Sequence, residues 1–137
     1  MGKKVLFVCS GNVGRSQMAE AFYNHFTQSL DAQSAGLDPK TPKKHVTPSK
    51  EVVDAMRLNG IDVSSSRVKL LSKKMMEEAS KIVVLCDRSL CPKELIESPK
   101  TEFYPIPDPY GEGLEKTISI REQVKELVKR LLANMIL

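Results

Sequence analysis

Residues 4–20 read KVLFVCSGNVGRSQMAE and hold the clearest structural signal in the chain. The apolar run from Val5 to Val8 has the length and composition of a buried strand. From Arg15 onwards the apolar residues recur at helical spacing, which predicts a helix. The segment between them contains two glycines, so we expect a strand, a loop and a helix to follow one another directly.

The same alternation continues to the end of the chain. Short apolar runs predict three further strands, in residues 32–37, 81–86 and 103–106. Capping signals predict a helix with Thr47 as N-cap and Gly60 as its stop. We also expect short helices after Ser72 and from Pro92, and a long amphipathic helix over residues 114–132 that closes the chain. Residues 38–47 are predicted as a loop whose lysines form a solvated surface. Alternating strands and helices favour an α/β fold with a parallel sheet covered on both faces.

Length and composition indicate one globular domain over residues 1–137. The hydrophobic fraction of 41% and the charged fraction of 28% argue against a disordered chain, a collagen or a coiled coil. A net charge of +4 is compatible with small anions, whereas a duplex-binding protein would carry a denser basic patch. The aromatic fraction of 5% provides no stacking platform for single strands, so we expect no nucleic-acid partner.

The sequence also lacks the signals of secreted and membrane proteins. Its first apolar run is too short for a signal-peptide core, and nothing approaches the roughly 20 apolar residues of a membrane span. The chain has 3 cysteines, an odd number that favours reduced thiols over a disulfide framework. We therefore expect a cytoplasmic protein with no membrane partner.

The loop after the first strand is the first candidate site, because ligands of parallel sheets bind beyond the carboxyl ends of the strands. Gly11 and Gly14 permit backbone angles that let successive amides turn inward as an anion nest, and the following helix adds its positive end. Arg15 supplies a planar fork of donors for a tetrahedral oxyanion. These groups favour the thiolate form of Cys9, which would be a nucleophile beneath the bound ion. The alternative is a glycine-rich turn with a buried cysteine, but the position between strand and helix favours the functional interpretation.

Residues 5–20 resemble the low-molecular-weight protein tyrosine phosphatase superfamily, which includes the thioredoxin-coupled arsenate reductases. The resemblance extends to Ser34-Ala35-Gly36, residues 82–91 and Asp108-Pro109-Tyr110. It implies a three-layer sandwich with a four-stranded parallel sheet, loop support by Asn12 and Ser34, and a hydrogen bond from Ser16 to the thiolate. The implied oxyanion-binding residues are Ser10, Gly11, Asn12, Val13, Gly14, Arg15 and Ser16. Relatives often have a histidine shortly before the third helix, where this chain has only serines.

A second candidate segment follows the last predicted strand. Pro107 and Pro109 stiffen the chain on both sides of Asp108 and fix its carboxyl group in a loop. A positioned carboxylic acid can give a proton to the leaving group of a phosphate ester. By itself this pattern favours a rigid turn with a solvated aspartate. The resemblance implies instead that Asp108 is the general acid and that Tyr110 lies at the rim of the substrate site.

Cys86 and Cys91 separate two chemistries. Phosphatases of this superfamily need only the loop cysteine and the acid, whereas the arsenate reductases take electrons from two further thiols near the end of the third strand. Gln17 and the Cys91-Pro92 pair resemble the reductases. Two features weaken the case for a reductase: the separation between Cys86 and Cys91 is shorter than expected of the reductases, and Tyr110 is the residue typical of the phosphatases after Asp-Pro. Both cysteines could also be small packing residues with no chemical role. Four intervening residues and no nearby histidine fit a zinc site badly, so we expect no metal and no cofactor.

The sequence and the resemblance together lead us to expect an arsenate reductase that relays electrons through Cys9, Cys86 and Cys91. Its expected partners are the oxyanion and thioredoxin or another thiol reductant. A phosphatase acting on phosphotyrosine through a cysteinyl-phosphate intermediate remains the alternative. A non-catalytic anion-binding module is a third interpretation, and the presence of Cys9, Arg15 and Asp108 together argues against it.

Overall fold

A four-stranded parallel sheet forms the centre of the computed structural model, which describes residues 4–136. The strands are β1 (Val5–Cys9), β2 (Ala32–Gly36), β3 (Lys81–Val84) and β4 (Thr101–Phe103). They lie in the order β2-β1-β3-β4, so the chain leaves β1 toward one edge and later returns on its other side. This confirms the predicted α/β sandwich and places a topological switch point at the carboxyl end of β1. The ends of the expected domain, residues 1–3 and 137, lie outside the described residues.

Helices connect and follow these strands in the described part of the chain. They are α1 (Arg15–Thr27), α2 (Thr41–Lys44), α3 (Lys50–Arg57), α4 (Lys73–Glu78), α5 (Lys93–Glu97) and α6 (Leu114–Ile136), with a 3-10 helix over Arg88–Leu90. The long helix α6 packs against both α1 and α3. Between residues 4 and 136, none of these helices has the length and apolarity needed to cross a bilayer.

The strand β1 is buried along its whole length, as are the last three residues of β3. Each residue of β1 pairs with one of β2, from Val5 opposite Ala32 to Cys9 opposite Gly36, and the other side of β1 pairs with β3. Burial on both faces explains why β1 is a continuous apolar run rather than an alternating one. Cys9 is therefore the last residue of a strand that is held on all sides.

The helix α3 departs from the predicted boundaries at both of its ends. The N-cap of α3 is Ser49 and not Thr47: the Ser49 side chain accepts a bond from Val52 N, while the Ser49 amide donates to Val13 O at 3.1 Å. Gly60 does adopt a left-handed conformation, with φ of 75°, but α3 has already ended at Arg57.

Two further predictions of extent were wrong. The last strand ends at Phe103, where residues 103–106 had been predicted, since Pro105 has no amide to continue the pairing. The amides of Tyr104 and Ile106 still donate to carbonyls at the end of β3 and just beyond it. Residues 38–47 are not simply a loop, because α2 forms there with a proline in its first turn.

Gly36 is the point at which β2 touches the loop after β1. A Cβ built on Gly36 would lie 2.8 Å from the Gly11 carbonyl carbon and 3.0 Å from the Asn12 amide nitrogen. Both neighbours are backbone atoms, so they cannot rotate away, and we expect Gly36→Ala to lower the free energy of unfolding by about 1–3 kcal/mol. Urea denaturation measures this loss.

Gly11→Ala is the control for this prediction. The added Cβ of that variant would meet Thr41 Oγ1 at an ordinary 3.5 Å. We expect its free energy of unfolding to stay within about 0.5 kcal/mol of the parent value. Equal losses in the two variants would show that contact between β2 and the loop is not the cause.

Candidate active site

The loop between β1 and α1 forms the floor of a cleft of about 290 Å³. The cleft lies at the topological switch point, the position at which open parallel sheets bind ligands. Its walls come from two segments distant in sequence, one around α2 and one after β4. The lining consists of residues 9–15 together with Asp38, Lys40, Thr41, Lys44, His45, Asp108 and Tyr110.

Cys9 is buried, and two hydrogen-bond donors surround its sulfur. The Asn12 amide donates to Cys9 Sγ at 3.2 Å, and Ser16 Oγ lies 2.9 Å from the same sulfur. Ser16 Oγ also accepts a bond of 2.7 Å from Asn12 Nδ2, so its own proton is free to point at Cys9. Donors aimed at a sulfur stabilise its thiolate form, and the start of α1 adds the positive end of a helix.

Asn12, rather than a glycine, has the special backbone conformation in this loop. Its φ is 60°, in the left-handed region, whereas neither Gly11 nor Gly14 has a positive φ, which corrects our expectation for the glycines. The buried side chain is held on both sides: its Oδ1 accepts bonds from Gln17 Nε2 at 3.0 Å and from the Lys69 amide at 2.9 Å. These bonds offset the cost of the left-handed conformation and fix the direction of the loop amides.

Ser34 differs from the expected direct support of the loop. Its hydroxyl donates to Glu20 Oε1 at 2.7 Å, so the bond runs from β2 to α1. The connection to the loop is indirect, because Lys69 Nζ lies 3.6 Å from the same Glu20 oxygen and the Lys69 amide binds Asn12. The sequence carried no signal for Lys69, which lies in an irregular segment without a motif. Gln17 had been noted only as a point of resemblance.

Arg15 joins the loop to the sheet and to the segment after β4. Its Nη1 donates to Ile106 O at 2.9 Å and to Leu85 O at 3.4 Å, and its Nη2 donates to Ser10 Oγ at 3.0 Å. Nη2 also lies 3.6 Å from Asp108 Oδ2. The guanidinium is 7% exposed, so it is held in one position facing the cleft.

Asp108 and Tyr110 form one wall of the cleft. The Tyr110 amide donates to Asp108 Oδ1 at 3.0 Å, a tight local turn that orients the carboxylate while leaving it exposed. Pro109 is buried beneath them and anchors the turn. The Tyr110 hydroxyl reaches across to His45 Nε2 at 3.2 Å.

The opposite wall was missed in the sequence. It is formed by Lys40, Thr41, Lys44 and His45, which belong to or flank α2. The segment is held over the loop because the amides of Leu37 and Asp38 both donate to Ser10 O. The lysines of this segment are therefore more than a solvated surface, since two of them line the cleft.

Cys86 follows the end of β3 and is buried, while Cys91 is half-buried after the 3-10 helix. The pKa of the Cys86 thiol is raised to about 12, first by burial and then by negative charge on Cys91 or Cys9, while Arg15 opposes the shift. Burial also raises the pKa of Cys91, against a hydrogen bond from Cys86 that lowers it. The Leu85 amide donates to Val8 O at 2.8 Å, so Cys86 follows β3 beside the end of β1, where Cys9 lies. All three cysteines are free thiols.

No group of three His, Cys, Asp or Glu side chains within residues 4–136 is arranged to hold a metal ion. The cleft lining instead combines loop amides and the cations Arg15, Lys40 and Lys44 with His45 and the carboxylates of Asp38 and Asp108. Such a set suits a tetrahedral oxyanion above a sulfur nucleophile.

Comparison with known proteins agrees with this geometry. The model of the family described as low molecular weight phosphotyrosine protein phosphatase matches residues 4–136. The chain is therefore a member of that family, and the resemblance seen in the sequence is confirmed.

Relatives that are named as arsenate reductases are similar to the chain over nearly its whole length. The glutaredoxin arsenate reductase of Synechocystis sp. is 31% identical over 135 residues, covering 97% of this chain and 98% of that protein. An arsenate reductase of Staphylococcus aureus is 29% identical, covering 90% and 91%.

Solved structures of an arsenate reductase and of a phosphatase both superpose on the chain. An arsenate reductase in the phosphate binding state superposes with a TM-score of 0.82 at 30% identity, covering 97% of this chain and 98% of that one. The low molecular weight protein tyrosine phosphatase from T. tengcongensis gives 0.83 at 28%, covering 97% and 99%. The family is thus established. The choice between arsenate reduction and phosphate ester hydrolysis depends on individual residues of the site.

The pKa of Cys86 predicts an order of alkylation. At pH 7.5 a thiol with a pKa of about 12 is almost entirely protonated, and Cys86 is also buried. We expect iodoacetamide to modify Cys86 more slowly than Cys9 and Cys91, and its rate to rise about tenfold per pH unit between pH 7 and 9. Peptide mass spectrometry over time measures both. Equal rates for the three cysteines would contradict the structure around Cys86.

Arg15→Lys keeps the charge but loses the planar fork. We expect the Kd for inorganic phosphate to rise about 10- to 100-fold, the equivalent of one or two charged hydrogen bonds, as measured by titration calorimetry. Arg121→Lys is the control, because Arg121 is also buried and donates to Ala55 O at 2.8 Å on the α3 side of the fold. The Arg121→Lys variant should keep the parental affinity for phosphate. A similar loss of phosphate affinity in both variants would mean that the substitutions act by destabilising the fold.

Proposed function

We propose that the chain is an arsenate reductase in which Cys9 attacks the oxyanion and Cys86 and Cys91 carry the electrons. The observation that carries the proposal is the position of Cys86, which is buried just past the end of β3, beside the strand β1 that ends at Cys9. The less buried Cys91 follows it after the 3-10 helix. Hydrolysis alone needs neither Cys86 nor Cys91. The arsenate reductases among the relatives support the same choice.

In the first step the loop amides and Arg15 hold arsenate above Cys9. The Cys9 thiolate attacks arsenic, an S–As bond forms, and one As–O bond breaks. Asp108 lies 3.6 Å from Arg15 at the rim and gives the departing oxygen a proton, so that it leaves as water. The oxidation state of arsenic does not change in this step.

In the second step Cys86 attacks Cys9 Sγ, and the Cys86 proton passes to an oxygen of the departing arsenite. An S–S bond forms, the S–As bond breaks, and its electron pair stays on arsenic, which leaves as arsenite. Burial is the largest cause of the raised pKa of Cys86, and charge on Cys91 and Cys9 adds to it while Arg15 opposes it. Cys86 is therefore protonated in the resting enzyme.

In the third step Cys91 attacks Cys86 Sγ, which releases Cys9 as a thiolate and leaves a Cys86–Cys91 disulfide. An external dithiol protein then reduces this disulfide by exchange. We propose thioredoxin for this role, and the name of the Synechocystis relative makes a glutaredoxin the reductant to compare with it. A cycle that needs a thiol reductant belongs in a reducing compartment, so we propose the cytoplasm.

Phosphotyrosine hydrolysis is the second candidate, and Asp108 and Tyr110 favour it. A carboxylate at the rim beside Arg15 is placed to protonate an ester leaving group, and Tyr110 provides an aromatic ring at the mouth. In this reaction Cys9 takes the phosphoryl group, and Asp108 then activates the water that hydrolyses the intermediate.

The two reactions are separated by Cys86→Ser and Cys91→Ser. We expect both variants to lose multiple-turnover arsenite release with thioredoxin or glutaredoxin as reductant, while aryl phosphate hydrolysis stays within about twofold of the parent value. Mass spectrometry after one turnover of Cys91→Ser should detect a Cys9–Cys86 disulfide. Ser89→Ala is the control, because Ser89 is exposed between the two cysteines. Arsenite release at the parental rate in either cysteine variant would exclude the relay and leave the phosphatase as the function.

A further inference from the structure

His45 and Tyr110 touch across the mouth of the cleft. Tyr110 Oη lies 3.2 Å from His45 Nε2, and the two rings meet edge to face with centroids 5.6 Å apart. Each partner comes from a different wall: His45 follows α2, and Tyr110 follows Asp108 after β4. We call this contact the His45–Tyr110 bridge.

Both ends of the bridge are anchored by the backbone. The His45 amide donates to Thr41 O at 2.8 Å and caps α2. The Tyr110 amide is held by Asp108 Oδ1, and the neighbouring Pro109 is buried. A phenol both donates and accepts, so either tautomer of the imidazole keeps the bond. The bridge is therefore a contact between two fixed walls.

The direction of attack determines which ligands meet the bridge. Cys9 lies on the cleft floor, and displacement in line with its sulfur requires the leaving group to point away from the floor, toward the mouth. An ester carries its organic group in that direction, between the two walls. A free inorganic oxyanion carries only an oxygen there.

We propose that His45 is a specificity-determining residue: through its contact with Tyr110 it favours small inorganic oxyanions over aryl esters. An aryl group must break the bridge to enter, whereas arsenate and phosphate leave it intact. The inference rests on the oxyanion site of the proposed function and adds the residue that selects its substrate class. The sequence had placed only Tyr110 at the rim and had left His45 unassigned.

The test compares two probes that need no turnover. Titration calorimetry gives the Kd of inorganic phosphate and of benzylphosphonate for the full chain, and their ratio is the selectivity. We expect His45→Ala to shift the ratio about three- to tenfold toward benzylphosphonate, the equivalent of one partly exposed hydrogen bond. Tyr110→Phe keeps the aromatic ring and loses only the hydroxyl, so it should shift the ratio in the same direction.

Two further variants make the test specific. If the bridge is the cause, the double variant should shift the ratio no more than the larger single change, because both substitutions break one contact. Lys43→Ala is the matched control, since Lys43 is exposed on the same short helix and its loss alters the local charge. The selectivity ratio of Lys43→Ala should stay within about twofold of the parent ratio.

Several outcomes would overturn the inference. An unchanged ratio in His45→Ala would mean that the bridge does not select, and a shift toward phosphate would mean that the two rings clamp an aryl group instead of excluding it. Additive effects of His45→Ala and Tyr110→Phe on the ratio would mean that the two residues act independently. If the parent protein binds neither probe, the cleft is not an oxyanion site. This test is independent of the arsenate assay. If the selectivity ratio shifts as expected but the protein does not reduce arsenate, the reductase proposal is rejected and the role of His45 in selectivity is retained.

Discussion

The buried side chain of Asn12 is the constraint on which the rest of the site depends. Its amide group makes three bonds, to Ser16, Gln17 and the Lys69 backbone, and these hold the residue in a left-handed conformation. That conformation turns the Asn12 amide toward Cys9 and leaves the Ser16 proton directed at the same sulfur. A buried polar side chain held by three hydrogen bonds is rigid, and the loop takes its shape from it.

Arg15 has the complementary role of joining segments that are far apart in the chain. Its bonds to the carbonyls of Leu85 and Ile106 tie the loop to the ends of the neighbouring strands, and its contact with Asp108 extends this to the wall of the cleft. The same side chain therefore serves the fold and the site. Because the guanidinium is fixed before any ligand arrives, binding an oxyanion needs little reorganisation of this group.

The sequence was informative where chemistry is local. The strand β1, the loop and the start of α1 could be predicted because a doubly buried strand requires an unbroken apolar run and because Cys9 and Arg15 stand at a characteristic spacing. Gly11 and Gly14 were misleading, since glycine permits a left-handed conformation but does not require one, and the bonds that stabilise Asn12 there come from outside the loop.

Residues that contribute to the site only through tertiary contacts could not be recognised from a sequence motif. Lys69 acts on Asn12 through its backbone amide, which any residue type carries, so its identity could not reveal the role. His45 belongs to a segment that reads as a polar loop, and its partner Tyr110 is 65 residues away. The start of α3 was missed because Ser49 competes with Thr47, an equally plausible N-cap. The end of β4 could have been predicted, because Pro105 has no amide to continue the pairing.

The cleft is assembled from the loop after β1, the segment around α2 and the segment after β4, so it exists only when nearly the whole chain is folded. An oxyanion that binds there has no counterpart site in the unfolded chain. Ligand concentration and unfolding are consequently linked, and a ligand present at a hundredfold excess over its Kd adds about 2.7 kcal/mol to the apparent stability. The phosphate concentration around the protein would then help to set the fraction of molecules that is folded.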